Sequence, residues 1–275
     1  MSFSINSNLG AAAAYNSLAK VTAQTQSAQL RLASSKKINS VSDDTSGYQV
    51  GKALQGKVSI MKGAQGNISS AKNLLATAEA ALSSINDLVI QIKGKVADAS
   101  DPTKNKTSLA ADITALGAEI KSIFDNTKFN ETALLSGTSG TTSFEFKTGD
   151  ATGDKIAIDL HNFNAATLGS ITASAAADLL TVSTATILSG QVDDLSSSIQ
   201  DALGSIGNYG QRLDVKDEYL TNAISNANAS ISRIFDTDMA LEQMDSTKSQ
   251  VGGQIGVSML AQMNQTPSQV MGLFR

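Results

Sequence analysis

The sequence contains no cysteine and no tryptophan, and it has only two prolines among its 275 residues. The absence of cysteine excludes a disulfide framework and thiol chemistry. The scarcity of proline leaves room for long, uninterrupted helices. Aromatic residues make up 4% of the chain. That small share suits thin helical layers better than one thick globular core.

Charge is also scarce, because charged residues make up 17% of the chain against roughly 25% in ordinary globular proteins. A net charge of -4 gives no general attraction to nucleic acid or to an acidic membrane. No run of 18 apolar residues predicts a membrane span. The N-terminus has no basic residue ahead of an apolar core, so it lacks the pattern of a secretory signal. If the protein leaves the cell, we expect a route that keeps its N-terminus.

The motifs that resemble catalytic or metal sites are incomplete. The one histidine, His161, excludes a zinc site of the HExxH type and a serine–histidine–aspartate triad. The segment GYQVGKALQGK places Gly51 too close to Gly47 for a phosphate-binding loop, and Ala53 stands where serine or threonine would hold the metal. DDTSG, from Asp43, lacks the acidic ladder of a calcium loop. The sequence therefore predicts no enzyme, no metal and no cofactor.

The strongest pattern is a seam of apolar side chains in the first half of the chain, spaced three and four residues apart. The seam continues for five heptads, which predicts a long coiled-coil helix. Other helical bundles give the same spacing, but the length and strictness of this seam favour a coiled coil. The seam consists of Met61, Ala64, Ile68, Ala71, Leu75, Ala78, Leu82, Ile85, Val89, Ile92 and Val96. A second ridge widens the stripe, and it consists of Ile60, Leu74, Ala81 and Leu88.

Two further helical segments follow the same spacing. Asp101 and Pro102 interrupt the first pattern, and a shorter helix carries Leu109, Ile113, Leu116, Ile120 and Ile123. From about Gln191 another long helix begins, first with Val192, Leu195, Ile199, Ala202, Ile206 and Leu213. It continues in a shifted register with Leu220, Ile224, Ala227, Ile231 and Ile234. The matched lengths predict that the second half folds back antiparallel to the first.

The middle of the chain has no helical period. Phe144 and Phe146 alternate with polar residues, as do Ile156, Ile158 and Leu160, and the GDATGD between them supplies turn residues. This alternation predicts a β-hairpin. Residues 164–189 are small, polar and weakly patterned, which predicts a short surface excursion.

The two ends of the chain resemble one another, because residues 1–19 and 249–274 carry no side-chain charge. Each end has the length of an amphipathic helix, and neither is hydrophobic enough to span a membrane. We expect each to pack against the other and both to pack against neighbouring copies of the chain. The candidate assembly residues are Ile5, Leu9, Leu18, Ile255, Met259, Leu260, Met263, Val270, Leu273 and Phe274.

These patterns predict a mainly α fold of long antiparallel coiled-coil helices with a small β-hairpin region. The terminal helices form a second coiled-coil layer. Residues 1–42 and 240–275 form one discontinuous domain, and residues 43–137 with 191–239 form the rod domain. Residues 138–190 hold the hairpin and the excursion.

Several segments resemble the bacterial flagellin family. RLASSKKINSVSDDTSG, from Arg31 to Gly47, is similar to the N-terminal signature of that family, and INSNLGA is similar to its opening. QRLD, FDTDMALE and the terminal SMLAQMNQTPSQVMGLFR match the family in the second half. The resemblance covers residues 1–137 and 190–275. It implies a subunit that self-assembles into the extracellular flagellar filament, with the terminal helices as an inner tube.

The resemblance also implies partners: other copies of the subunit, a filament cap, hook-junction proteins, an export chaperone on the C-terminal helix and a type III export apparatus. A hook–filament junction protein of the same family is the alternative. From a different class, a secreted coiled-coil adhesin or effector would explain the heptads, but not the two charge-free ends. Asp43 and Asp44 are expected to cap the next helix rather than to contact another subunit.

One segment departs from the family. In many members an arginine, a leucine four residues later and a nearby glutamate are read by the vertebrate innate receptor for flagellin. The corresponding segment here is QIKGKVADAS, with Gln91, Gly94 and Lys95 at those positions. We therefore expect weak recognition by that receptor. The short middle region predicts a filament without large outer domains.

Overall fold

The computed structural model describes residues 9–135, 143–151, 153–160 and 182–273. Five helices account for most of these residues: α1 Leu9–Ser34, α2 Thr45–Asp98, α3 Lys106–Asn126, α4 Val182–Phe235 and α5 Met239–Leu273. Two antiparallel hairpins complete the described part. They are β1 Lys128–Phe129 with β2 Thr132–Ala133, and β3 Ser143–Lys147 with β4 Lys155–Asp159. The mainly α fold class is confirmed.

The chain forms two compact units, Met1–Val58 with Ser225–Arg275, and Ser59–Ile224. Both divisions fall inside the long helices α2 and α4. The boundaries predicted from the sequence, 42/43 and 239/240, lie instead at the connectors that precede α2 and follow α4. Whether those predicted boundaries separate the layers of an assembly stays a prediction.

In the unit Ser59–Ile224, the predicted seam of α2 is buried along its whole length. All eleven of its residues are at most 7% exposed, from Met61 to Val96. Leu220 and Ile224 of α4 are buried as well. Burying a leucine or isoleucine side chain stabilises a fold by roughly 1.5–3 kcal/mol. The seam is therefore the main source of stability in this unit.

Polar contacts show that α2 and α4 are antiparallel within this unit. Gln65 Nε2 donates a hydrogen bond to Thr221 Oγ1 at 2.9 Å. Lys72 Nζ lies 2.8 Å from a carboxylate oxygen of Asp214, and Lys93 Nζ lies 2.7 Å from one of Asp193. Residues further along α2 pair with residues of lower number on α4, as expected for antiparallel helices.

The hairpin of β3 and β4 confirms the prediction for the middle of the chain. Phe144 pairs with Ile158 and Phe146 with Ile156. The inward residues of β4 are buried, while both phenylalanines are partly covered. Asn67 of α2 donates to the carbonyl oxygen of Lys147 at 3.1 Å, which ties the hairpin to the helix.

Three expectations for the helices are corrected. The fourth helix begins at Val182 rather than near Gln191, because Leu188 is fully buried and extends the seam by a turn. This helix replaces the last part of the predicted excursion, whose residues 164–181 lie outside the described residues. Ile60 does not belong to a buried ridge, since it is 45% exposed.

The third correction concerns α3. Leu109, Ile113 and Ile120 are buried as predicted, but Leu116 and Ile123 are only half-buried. Gly117 and Phe124 take the buried positions next to them. The buried face of α3 thus turns by one residue after Ile113, so that the large ring of Phe124 is enclosed.

The short hairpin of β1 and β2 was not predicted. Its two turn residues, Asn130 and Glu131, have φ values of 49° and 64°. Positive φ at both central residues is the conformation of a type I′ turn, which matches the twist of antiparallel strands. Asparagine favours this conformation but glutamate does not, so the sequence carries only half of the usual signal.

The seam gives a direct stability test. We expect Ile85→Ala to lower the free energy of unfolding by about 2–5 kcal/mol, because a fully buried side chain is removed from a packed interface. Ile90 lies on the same helix and is 57% exposed. We therefore expect Ile90→Ala to change the free energy of unfolding by no more than about 0.5 kcal/mol. Urea unfolding followed by circular dichroism measures both. Equal losses in the two variants would contradict the assignment of the seam.

Candidate functional site

The terminal helices α1 and α5 pack against each other as an antiparallel pair. A Cβ atom on Gly256 would lie 3.1 Å from Leu18 Cδ1, and one on Gly252 would lie 3.6 Å from Val21 Cγ1. Towards the other end of the pair, Arg31 Nη1 lies 3.9 Å from Glu242 Oε1. The expected packing of the two ends of the chain against each other is thus present over the described residues.

On the α5 side, the contact with α1 is made mainly by small and polar residues, and Leu18 and Val21 of α1 lie against its glycines. Among the described residues, Ala28 is the buried residue of α1, and Glu242 and Ser246 are the buried polar residues of α5. Gly252, Gly253 and Gly256 extend the same face of α5. Little apolar area is enclosed in this way, so the pair is not held together as the α2 seam is.

The large apolar side chains of α5 point away from this contact. Six of them are half or more exposed: Leu241, Met244, Val251, Ile255, Val257 and Met259. On α1, Leu9, Tyr15 and Leu30 are similarly exposed. A concentration of exposed large apolar side chains is a candidate site of association. We call these nine side chains the outer apolar face.

The predicted assembly residues divide between this face and the helix contact. Leu9, Ile255, Met259 and Met263 are exposed, whereas Leu18 and Leu260 are half-buried. Ile5 and Phe274 lie outside the described residues, and so do the side chains of Val270 and Leu273. The role of all ten in assembly stays a prediction.

A polar stripe runs along another side of α5. It consists of Gln243, Thr247, Gln250 and Gln254, all exposed and spaced four, three and four residues apart. At the helical spacing of side chains, this stripe and the outer apolar face flank opposite edges of the contact with α1. The helix therefore presents three distinct surfaces, of which one is used inside the chain.

The connectors next to α1 and α5 are joined by backbone hydrogen bonds. Lys37 N donates to the carbonyl oxygen of Phe235 at 2.7 Å, and Thr237 N donates to that of Ser35 at 3.2 Å. The Lys37 ammonium also donates to the carbonyl oxygen of Arg233 at 3.0 Å. These bonds fix where α1 ends and where α5 begins.

Asp43 and Asp44 have different roles in the first connector. Asp44 Oδ1 accepts from Gly47 N at 2.9 Å, so it caps the N-terminus of α2 as predicted. Asp43 does not cap a helix: its Oδ2 accepts from Asn39 N at 2.9 Å and from Ser40 N at 2.8 Å, which closes a turn. The backbone hydrogen bonds from Ser40 and Asn39 hold the pKa of the Asp43 carboxyl below its usual value.

Glycines 47 and 51, which first suggested a phosphate loop, are packing positions. A Cβ atom on Gly51 would collide with the ring of Phe235, and one on Gly47 would collide with Asp44 and Ile38. Tyr48 meets the same Phe235 ring edge-on, at 6.2 Å between centroids. The sequence signal for this role is that Gly47, Tyr48 and Gly51 lie within about one turn of α2, so that Tyr48 and Gly51 can meet one aromatic ring.

The described residues contain no cluster of three or more side chains suited to hold a metal ion. Within the same ranges, none of the helices is long and apolar enough to cross a membrane. His161 lies outside the described residues.

The segment aligned with the innate-receptor motif lies on α2 in the other unit. Gln91 and Gly94 are exposed, and no described side chain lies within 4 Å of the place of a Gly94 Cβ. Lys95 is half-buried and its ammonium lies 2.7 Å from a carboxylate oxygen of Asp112 on α3. The lysine is thus held by an internal ion pair.

Comparisons with known proteins match nearly the whole chain. The family described as bacterial flagellin N-terminal helical region matches residues 5–140, and the bacterial flagellin C-terminal helical region matches residues 189–274. A flagellin of Halalkalibacterium halodurans is 29% identical over 98% of this chain and 99% of its own length. A flagellin of Listeria innocua is 31% identical over 90% of each chain. The crystal structure of Bacillus cereus flagellin superposes with a TM-score of 0.50 and 27% identity, over 56% of this chain and 88% of that one.

The turn at Asp43 predicts a pH dependence. Because the folded pKa of Asp43 is lowered, its contribution to stability is present above the unfolded pKa and is lost as pH falls through the folded pKa. We expect the free energy of unfolding of the native chain to fall, relative to Asp43→Asn, between about pH 5 and pH 2. Denaturant unfolding across that range measures the difference, and the amide chemical shifts of Asn39 and Ser40 report the turn itself. Parallel pH profiles for the two proteins would contradict this role.

Proposed function

This chain belongs to the bacterial flagellin family and is a subunit of the flagellar filament, and we propose that its α1–α5 pair carries the principal contacts between copies. The observation that supports this proposal is that α5 buries its small and polar residues and exposes its large apolar ones. Its buried face is small and polar, while its outer apolar face is exposed in the single chain. A second copy would remove that face from water.

Burial of the outer apolar face against a second copy would favour polymerisation. Each large apolar side chain that becomes buried stabilises the assembly by roughly 1.5–3 kcal/mol. A contact between two different surfaces of the same chain, repeated by a rotation that does not close, builds a helical filament. We expect the segments 1–42 and 240–275 to form the inner tube, residues 43–137 and 191–239 to surround it, and residues 138–190 to face outwards.

The same exposed face accounts for the expected partners before assembly. An export chaperone that covers the C-terminal helix would compete with polymerisation for one apolar surface. A type III export apparatus would pass the chain without cleaving a signal peptide, and cap and hook-junction proteins would meet the ends of the filament. Membership of the family and the exposure of α5 support this proposal of partners.

The alternatives are not favoured. A hook–filament junction protein has similar terminal helices, but the two relatives reported above, which match this chain over most of their length, are flagellins. A free-standing coiled-coil adhesin or effector would not account for the two charge-free ends of the chain. The flagellin family is a structural protein family, in keeping with the expectation that this chain is not an enzyme.

The double substitution Ile255→Asp/Met259→Asp tests the polymerisation surface. Both side chains are more than half exposed, so we expect the single chain to fold normally. Losing at least about 1.5 kcal/mol at each position would raise the critical concentration for polymerisation at least about 100-fold. Sedimentation after addition of sulfate and filament seeds, with electron microscopy of the pellet, measures this concentration.

A matched control adds the same two charges to the polar stripe of the same helix. We expect Thr247→Asp/Gln254→Asp to polymerise within a few fold of the native chain, since both residues are exposed and polar. Circular dichroism checks that the helix content of both variants is native. Normal filaments from Ile255→Asp/Met259→Asp would contradict the proposed contact, as would equal loss of assembly in both variants.

The departure at the innate-receptor segment gives a separate prediction. We expect native filaments, once dissociated, to activate reporter cells carrying the vertebrate flagellin receptor only weakly. The variant Gln91→Arg/Gly94→Glu/Lys95→Leu restores the side chains of the family motif, and we expect it to increase the response. A native response equal to that of a potent flagellin would overturn the prediction. No gain in the restored variant would show that other residues limit recognition.

A further inference from the structure

Glu242 is the one charged side chain that is buried among the described residues. It lies in the first turn of α5 and faces α1, with 8% of its surface exposed. A carboxylate removed from water must be compensated by nearby charge or hydrogen bonds, because its desolvation is costly. The contacts of this residue therefore constrain where α5 lies against α1.

Two side chains outside α5 compensate this carboxylate. Arg31 Nη1, near the C-terminus of α1, lies 3.9 Å from Glu242 Oε1. The hydroxyl of Thr237, in the connector before α5, donates to Glu242 Oε2 at 3.3 Å. The position near the helix N-terminus also favours negative charge, since the helix dipole is positive there. One partner thus belongs to the opposite helix, while the other stays beside α5.

Backbone hydrogen bonds join the two connectors at one end of the α1–α5 pair, but along the helices few other contacts favour one register. Leu18 and Val21 of α1 lie against the glycines Gly256 and Gly252, while Ala28 and Ser246 are small, so few side chains interlock between the helices. A shift of α5 along α1 by one turn would move it about 5.4 Å, and in one direction it would set Leu18 against Gly252 in place of Gly256. The same shift would separate Glu242 from Arg31 and leave a buried carboxylate with only a hydroxyl partner.

We propose that Glu242 is the positioning residue that sets the register of α5 against α1, through Arg31. A buried polar group that selects one register among several apolar alternatives is a recognised use of such residues. Register decides which side chains of the outer apolar face lie beside each other on α1 and α5. This inference concerns contacts within one chain, so it does not depend on the polymerisation role of that face.

Engineered disulfides measure the register directly, because the chain has no cysteine of its own. Val21→Cys/Gly252→Cys reports the observed register, in which these positions touch. Val21→Cys/Gly256→Cys and Val21→Cys/Ser249→Cys report shifts of about one turn in either direction. Each pair is placed in the soluble full-length chain and oxidised mildly. The intrachain product is separated from crosslinked dimers by its mobility on a denaturing gel.

In the native background we expect the observed pair to crosslink at least about tenfold faster than the shifted pairs, since a buried charge without its partner is strongly destabilising. Glu242→Gln should lower that ratio at least about tenfold, because the amide no longer requires Arg31. The exchange Arg31→Glu/Glu242→Arg should restore much of the ratio. Ser246→Ala, at the other buried polar position of α5, is the matched control and should leave the ratio unchanged.

Three results would overturn the proposal. The first is an unchanged ratio in Glu242→Gln. The second is loss of crosslinking in all three cysteine pairs of that variant, which would mean that Glu242 holds the helices together without choosing a register. The third is an equal fall of the ratio in Ser246→Ala. Circular dichroism of each variant checks that the helix content is native. Arg31→Gln removes the same ion pair from the side of α1, so it should lower the ratio as well.

Discussion

The constraint on which this structure depends is that long helices must cover their apolar side chains. In the unit Ser59–Ile224 the chain meets this constraint by itself, because the α2 seam is enclosed from Met61 to Val96. In the unit that holds α1 and α5 it does not, since Ile255 and Met259 remain more than half exposed. Apolar burial is non-directional and roughly proportional to area. The uncovered area is therefore available to another copy of the chain.

The connectors are held by hydrogen bonds rather than by apolar burial. Hydrogen bonds from Lys37 and Thr237 join the two connector strands, while Asp43 and Asp44 bind backbone amides in the turn before α2. Such bonds contribute only about 0.5–1.5 kcal/mol each, but they are directional. They decide where helices begin and end, so that the apolar faces of α1 and α5 start from defined positions.

How much of this was predictable from the sequence depends on the kind of interaction. The α2 seam was predicted residue by residue, because helical period alone decides which side chains face a partner. The start of α4 at Val182 was missed, since its first turns are rich in serine and threonine and only Leu188 carries the seam. Gly51 was read as part of an incomplete loop, because its close contact with Phe235 joins residues far apart in sequence. The face of α5 that meets α1 was not predicted either, as its buried members are small or polar.

The contact face of α5 escaped prediction because of a division within that helix. Its beginning contains the charged residues Glu242, Asp245 and Lys248, whereas no charge occurs from residue 249 to 274. A charge-free amphipathic segment can adhere to many partners in many registers, because area alone sets the strength of an apolar contact. A buried ion pair adds little net stability but penalises every wrong placement. Specificity at the start of α5 and adhesion along the rest of it are thus supplied by different residues. A helix built in this way holds one position within its own chain while it offers an apolar surface to the next.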